Sequence, residues 1–314
     1  MTIQNLKFRK LKKELPGVQK KTLLSEHTTF KIGGPAKYFF IAKNKNELIE
    51  AIKWAKEKKL PLFVLGGGSN VLALDQGFDG LVIKVQSSNF KIFTPHQSKD
   101  WCGAKSKIIY AEAGAGIKDL VELTERKSLT GFEWAAGIPG TIGGAVYGNA
   151  QAFDGKMSDA IKSVEILDAK NFKIKNLLKK QCQLSLKNSI FKKNKDFIIL
   201  SVILKLKKGD KRKIQKKIKE NLDLRRRRHP LNFPSAGSVF INKSKKFPSS
   251  FLIEQCGLKG KRVGDAYVSE KHSGFIVNLG KAKAKDILEL IKIIKKEVRK
   301  KFKINLKEEI RMIK

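Results

Sequence analysis

A chain of 314 residues, 41% of them hydrophobic, has room for about two domains and a sizeable core, which excludes a disordered chain. The formal charge of +38 would ordinarily point to nucleic acid. Only 10 of the 67 basic residues are arginine and the 57 lysines are spread along the whole chain. The excess therefore reads as a compositional bias that favours salt-sensitive adsorption to polyanions, not specific nucleic-acid binding.

Residues 1–24 are basic and aperiodic apart from Leu6, Phe8, Leu11 and Leu15, a pattern for a short amphipathic helix stopped at Pro16-Gly17. An extended segment follows at Lys37–Ala42. Asn44 is placed to cap a helix with Leu48, Ile52 and Ala55 on one face. The apolar run Leu60–Val64 enters Gly66-Gly67-Gly68-Ser69-Asn70, and Leu81–Ile83 reads as another strand. Ile108–Ala113 leads into Gly114-Ala115-Gly116 and a short helix over Lys118–Lys127. Strands are expected at Val164–Leu167 and Phe197–Leu204, and a helix at Lys211–Arg228 with Ile214, Ile218 and Leu222 on its apolar side. Beyond it the pattern predicts a strand at Ser238–Ile241, a short helix near Phe251, a strand at Gly274–Val277, a long helix over Ala284–Lys301 and a last strand ending at Glu308–Arg311. Alternating strands and helices indicate an α+β or α/β protein.

No apolar run reaches the roughly 18 residues of a membrane span, and no signal-peptide centre opens the chain; the cytoplasm is the expected place. Cys102, Cys182 and Cys256 are far apart, as are His27, His96, His229 and His272. That spacing predicts neither a structural zinc site nor a disulfide framework, and Cys256, after Phe251-Leu252-Ile253, reads as core.

Two stretches carry the chemistry. Gly137-Ile138-Pro139-Gly140-Thr141-Ile142-Gly143-Gly144-Ala145 and Leu65–Leu72 both combine clustered glycine with apolar neighbours. They are therefore not linkers, and something must come close to their backbone. Consecutive exposed N–H groups in such turns hold phosphates. Neither stretch fits the P-loop pattern or a dinucleotide fingerprint behind a strand; tight turns in an ordinary α+β domain are the competing reading.

Five strings in order, Thr28-Thr29-Phe30-Lys31-Ile32-Gly33-Gly34-Pro35-Ala36, LGGGSNVL from Leu65, GIPGTIGGAVYGNA from Gly137, Pro234-Ser235-Ala236-Gly237-Ser238-Val239-Phe240 and Val268-Ser269-Glu270-Lys271-His272, closely resemble the UDP-N-acetylenolpyruvoylglucosamine reductase family over about residues 25–314. The resemblance implies an α+β protein: a two-lobed FAD-binding domain of the vanillyl-alcohol-oxidase type at 28–207, behind a basic segment at 1–27, and a smaller C-terminal α/β substrate-binding domain at 208–314. It implies FAD as cofactor, NADPH as hydride donor and UDP-N-acetylglucosamine enolpyruvate as substrate. FAD would lie against Gly66, Gly67, Gly68, Ser69 and Asn70 and against Gly137, Ile138, Pro139, Gly140 and Thr141, with Gly143, Gly144 and Ala145 near the flavin. The segment Leu206–Lys219 is short, as in family members without a tyrosine-bearing loop over the substrate.

Hydride arriving at one carbon of the enol ether leaves charge on the neighbouring carbon and its carboxylate, so the site needs cations and an acid. Ser238 matches the family's proton donor and Glu309 its active-site glutamate. The family's third residue is an arginine, and Lys187 stands there, a point charge in place of a planar fork. Arg226, in the run Arg225–Arg228, is aligned with the contact to the substrate's diphosphate, and Asn242 and Lys271 with further substrate positions. Gln151 and Phe153 replace the family's usual glycine and tyrosine. A different FAD oxidoreductase, such as an oxidase of a small alcohol, and a non-catalytic polyanion-binding relative are the alternatives. The absence of a large exposed apolar stripe suggests a monomer.

Overall fold

The structure, a computed structural model, describes residues 14–93, 106–242 and 246–314. Most of the expected N-terminal helix and Cys102 lie outside these residues. Leu15 is within them, buried in the first core.

The first lobe begins with β1 (Gln19–Leu23), β2 (Pro35–Ala42), α1 (Lys45–Glu57), β3 (Leu62–Leu65), β4 (Val71–Ala73) and β5 (Phe78–Val85). Its sheet runs β1-β2-β5-β3, with β5 parallel to both β2 and β3. Asn44 caps α1 as its sequence position suggests: its Oδ1 accepts the Glu47 N–H at 3.0 Å, and Glu47 Oε2 accepts the Lys43 N–H at 2.8 Å, so two otherwise unpaired donors are satisfied reciprocally. β1 has no apolar alternation and was not expected. It is an edge strand paired with β2 and carrying Lys20 and Lys21, and charge at an edge discourages further pairing.

The second lobe comprises β6 (Phe90–Phe93), β7 (Ser106–Glu112), α2 (Ile117–Arg126), β8 (Leu129–Thr130), α3 (Ile142–Gly148), the hairpin β9 (Gln151–Ala152) and β10 (Gly155–Lys156), α4 (Met157–Ala160), β11 (Ile161–Asp168), β12 (Lys173–Leu178), α5 (Ile190–Lys193) and β13 (Phe197–Lys208). An antiparallel sheet in the order β12-β11-β13-β7-β6, with β8 added beside β13, forms its centre. The basic helix α6 (Lys211–Arg228) follows. Its Ile214 and Ile218 are buried in the core of the first part of the chain, so this helix packs on the first two lobes although it follows the expected division at 207/208.

The C-terminal part is built from β14 (Ser235–Ser238), α7 (Ser249–Gln255), β15 (Arg262–Val263), β16 (Ala266–Val268), β17 (Phe275–Asn278), α8 (Ala284–Phe302) and β18 (Arg311–Ile313). A four-stranded antiparallel sheet, β14-β17-β16-β15, lies under α8. The buried face of α8 carries Ile287, Leu290, Ile291, Ile294 and Val298, a helical stripe. Three ties join this unit to the first lobe. Phe30, Ile32 and Leu72 enter its core, Asp75 accepts the N–H groups of Ala284 and Lys285 at 2.8 and 3.0 Å at the start of α8, and β18 pairs in parallel with β4. Asp75 thus serves as a carboxylate at a helix N-terminus, supplied from another unit.

Candidate active site

The two glycine stretches pack directly on each other. A Cβ built on Gly67 would lie 2.7 Å from the Gly140 Cα, and one on Gly66 would lie 2.4 Å from the Thr141 Oγ1. Gly140 itself has φ +116, a region that L side chains rarely adopt. Ser69 Oγ donates to the Pro139 carbonyl at 3.1 Å and fastens the pair. Much of the glycine content is therefore spent on bringing two backbone turns together, and only some glycines face open space. Gly143 would meet Ala113 at 2.8 Å, whereas Gly148 has no neighbour within 4 Å and Gly144 only Thr141 Oγ1 at 3.4 Å.

The paired turns line a cleft of about 2020 Å³. The expected cofactor residues Gly66, Gly67, Gly68, Ser69, Asn70, Gly137, Ile138, Pro139, Gly140, Thr141, Gly143, Gly144 and Ala145 all border it. Among the described residues, no backbone acceptor or side chain takes the N–H groups of Gly67, Gly68, Ser69, Gly137, Gly140 or Thr141. The Ile138 N–H is bonded to Ala135 O and the Gly143 N–H to Ala113 O, so these two add shape and not donors. Six unpartnered donors on two abutting turns suit a dianionic diphosphate. From Thr141, whose Oγ1 accepts the Gly144 N–H at 3.3 Å, α3 starts at the cleft.

Opposite the turns, three further pieces of chain converge. β14 is irregular between Ser235 and Ser238, where Gly237 has φ +73. A bulge of this kind re-aims the side chain after it, and Ser238 borders the cleft. The Ser238 hydroxyl has no hydrogen-bond partner among the described residues, which leaves its proton free. Residues 239–241 then pair with 307–309: the Ile241 N–H reaches Lys307 O at 2.9 Å and the Glu309 N–H reaches Val239 O at 2.7 Å. This brings Glu309 beside Ser238, and the Asn70 side chain, donating to Glu309 O at 3.2 Å, ties it to the first glycine turn.

Lys187 reaches Glu309 from the second lobe, with Nζ 2.7 Å from Oε1 and side chains only 17% and 15% exposed. Its turn is closed by reciprocal bonds between Ser185 and Asn188, at 3.0 and 3.2 Å, and Lys187 has φ +52. A left-handed non-glycine residue costs roughly 1 kcal/mol, so the turn needs support. Asn149 Nδ2 donates to Ser185 O at 2.9 Å, Ser189 Oγ donates to Tyr147 O at 2.7 Å, and Lys192 Nζ donates to Lys187 O at 2.7 Å. The end of α3 therefore positions both the glycine turn and Lys187. Lys192 and Arg311 also border the cleft, the Arg311 guanidinium lying 4.3 Å from the Phe63 ring and 5.0 Å from the Tyr147 ring.

The substrate-side assignments divide. Asn242 borders the cleft, but its Oδ1 is taken by Ser249, accepting the N–H at 2.8 Å and the hydroxyl at 2.6 Å, so only its amide N–H groups are left. Arg226 and Lys271 lie outside the cleft lining. Arg226 is 71% exposed and paired to Asp223 at 3.1 Å, and Lys271 Nζ donates to Arg226 O. Of the run Arg225–Arg228, Arg225 and Arg228 border the cleft. Arg225 is buried, donates from Nε to Ala136 O at 2.7 Å, and has its guanidinium 5.0 Å from the Phe153 ring. Its Nη2 is buried with no partner, and burial pulls the guanidinium below the usual arginine range. His229 and His272 meet edge to face at 5.6 Å on the same wall. Burial, with Arg225 next in effect, pushes His229 down to about 4, and burial likewise lowers His272; both are neutral near pH 7.

Cradles of backbone donors beside a free hydroxyl and a lysine–glutamate pair suit an enzyme that holds a diphosphate cofactor next to a proton donor, and the chain's relatives place it among the flavin-dependent oxidoreductases. Residues 36–171 match the family model for the FAD binding domain, and 229–313 match that for the UDP-N-acetylenolpyruvoylglucosamine reductase C-terminal domain. The chain belongs to the UDP-N-acetylenolpyruvoylglucosamine reductase family. It is 40% identical to the reductase of Clostridium botulinum over 296 residues, covering 94% of this chain and 93% of that one, and 40% identical to that of Clostridium perfringens over 290 residues, covering 92% and 91%. The crystal structure of UDP-N-acetylenolpyruvylglucosamine reductase from Thermus caldophilus superposes with a TM-score of 0.76 at 32% identity, covering 95% of this chain and 99% of that one. The expected combination of a FAD-binding domain and the family's C-terminal domain in a chain of mixed helices and sheets is what these matches show.

Proposed function

We infer that this protein is the FAD-dependent reductase that uses NADPH to convert UDP-N-acetylglucosamine enolpyruvate to UDP-N-acetylmuramate for peptidoglycan. The observation that carries the residue-level reading is the meeting of Ser238, Glu309 and Lys187, contributed by three separate parts of the chain, at one cleft with the glycine turns. Bound against these turns, FAD would supply the two-electron redox chemistry that links NADPH to the enolpyruvyl group.

The chain's residues supply what that transfer needs. The free N–H groups of Gly67, Gly68, Ser69, Gly137, Gly140 and Thr141 hold the diphosphate, and Arg225 Nη2, unpartnered and buried, offers the cofactor one more donor. Electron density pushed from the double bond toward the adjacent carbon and its carboxylate meets the positive charge of Lys187. Ser238 Oγ gives its proton to that carbon. Glu309 orients Lys187 through their 2.7 Å contact. Arg228 takes the place expected of Arg226 toward the substrate's diphosphate, since it borders the cleft. Asn242 contributes through its amide N–H groups, and Lys271 acts indirectly by holding the end of α6. The protein works as a monomer in the cytoplasm: the exposed Phe153, Leu231 and Phe233 border the cleft while Leu23, Leu178 and Leu288 lie on separate elements, and among the described residues no helix is long and apolar enough to cross a membrane.

The test is an anaerobic stopped-flow trace of the flavin's visible absorbance, adding NADPH and then the enolpyruvyl substrate. Bleaching followed by recolouring is expected. Bleaching that the substrate cannot reverse would sink the assignment of substrate.

A further inference from the structure

Lys187 is already committed. An ammonium is a point charge with three donors, and this one is pressed against Glu309 at 2.7 Å, so the pair is close to neutral before a substrate carboxylate arrives. The planar fork of an arginine could meet a glutamate and a substrate carboxylate with paired donors, whereas the lysine ammonium offers each only single-point contacts and its charge is already shared with Glu309. The charge must come from elsewhere on the same wall, and Lys192 is there. It stands five positions on, within α5 (Ile190–Lys193). One of its N–H groups donates to Lys187 O at 2.7 Å, and its ammonium lies 5.9 Å from the Tyr147 ring. It borders the cleft, with two donors remaining. Burial lowers its pKa, while Glu309 raises it and Lys187 and Arg311 lower it, so Lys192 sits within electrostatic reach of all three. No carboxylate of the protein is paired with it among the described residues, and Lys187, Lys192, Arg311 and Glu309 together leave the wall positive.

Resting on the substrate proposed above, we propose that Lys192 is a second catalytic cation of this site. It binds the carboxylate of the enolpyruvyl group, and Lys187 and Lys192 together do the work of one guanidinium. Lys192 thereby has two roles with one side chain: it props the strained Lys187 turn through the carbonyl and presents charge to the substrate. Charge-assisted bonds shortened as the carboxylate gains electron density strengthen toward the transition state.

The holoenzyme with Lys192→Met, which keeps the length and loses the charge, is compared with Lys192→Arg and with the parent protein. Two quantities are read: recolouring of the reduced flavin by the enolpyruvyl substrate, and the affinity of the oxidised protein for that substrate from perturbation of the flavin spectrum. Lys192→Met is expected to slow recolouring and weaken binding by about 10- to 100-fold. Bleaching by NADPH, which has no carboxylate, should proceed as in the parent, and Lys192→Arg should recover most of the loss. Recolouring and affinity at parental values in Lys192→Met would overturn the proposal. So would an equal slowing of both half-reactions with a lowered melting temperature, which would make Lys192 a prop for the turn and nothing more. A parent protein that bleaches but never recolours is a different outcome, because it removes the substrate and not the lysine.

Discussion

Gly67→Ala and Gly144→Ala separate the glycines that close the turns from those that open toward the cofactor. The Gly67 methyl would sit 2.7 Å from the Gly140 Cα, so the two turns must part by about 0.7 Å to reach the 3.4 Å of ordinary contact. The Gly140 Cα is backbone and the new methyl is fixed rigidly to backbone, so no flexible side chain can yield. Overpacking of this kind costs about 1–3 kcal/mol, which lowers the melting temperature of the FAD-free protein by roughly 2–10 °C for a chain of this size. The same shift stretches a donor at roughly 2.9 Å from the diphosphate beyond bonding distance. Losing one charge-assisted bond weakens FAD binding at least about tenfold. Gly144 lies in the first turn of α3 with only Thr141 Oγ1 at 3.4 Å. Alanine is there the better helix former by up to about 1 kcal/mol, so the FAD-free protein should melt no lower while its FAD affinity falls. The assays are differential scanning calorimetry of FAD-free protein and quenching of FAD fluorescence on titration. Unchanged melting and affinity in Gly67→Ala would refute the packing argument, and unchanged affinity in Gly144→Ala would remove Gly144 from the cofactor wall.

Lys187→Ala leaves Glu309 with an unpaired charge in a site only 15% exposed on its side; we expect a loss of about 2 kcal/mol, short of the roughly 3–5 of a fully buried pair, with Glu309→Gln in the same background restoring melting temperature but not recolouring by substrate. Arg225→Met should weaken FAD binding about 10- to 100-fold, because a buried donor to the cofactor is lost, whereas Arg226→Ala should leave it unchanged, its exposed pair with Asp223 being worth well under about 1 kcal/mol; equal effects in fluorescence titration would contradict the split. His229 is depressed from its ordinary 6.5 to about 4, so the unfolded chain binds the proton first on acidification. Stability is therefore full above pH 6.5 and falls as the pH drops toward 4, and His229→Gln should flatten that slope in an acid titration of near-ultraviolet circular dichroism.

The elements that were legible in the sequence carry strong local signals. Asn44 followed by Glu47 and an apolar face gives α1, and the unbroken stripe from Ile287 to Val298 gives α8. The short helix near Phe251 and the strand before it were within a few residues, although the expected Ser238–Ile241 strand is observed as Ser235–Ser238 and continues only as an isolated bridge from Phe240 to Glu308. What escaped was set by contacts distant in sequence. β1 is exposed along most of its length and exists through its partner. The pattern of glycines does not show that Gly66, Gly67 and Gly143 must also be small because other chain lies against them. Arg225 could have been found: the stripe Ile214, Ile218 and Leu222 continues at seven residues past Ile218, so position 225 faces inward and position 226 turns about 100° away. Lys192 gave no signal of its own in a chain with 57 lysines.

Register decides the site at its other end as well. Both Glu308 and Glu309 border the cleft, but neighbouring side chains in extended chain point to opposite faces, so only one of them can face Lys187. Glu308 turns to α8, where Lys295 Nζ lies 2.8 Å from it and, against the opposing effect of burial, holds its carboxyl below the ordinary range. Glu309 turns the other way to Lys187. The choice is enforced by backbone on both sides, by the Glu309 N–H on Val239 O and the Arg311 N–H on Asn70 O. Since Val239 follows Ser238 and Asn70 ends the first glycine turn, a one-residue slip in this last segment would exchange the glutamates and also break the seam between the serine and the glycine turn. The segment 307–311 is thus the piece that joins the Ser238 strand to the first glycine turn, and the Glu309 carboxylate faces Lys187 because the chain beside it is bonded at both ends.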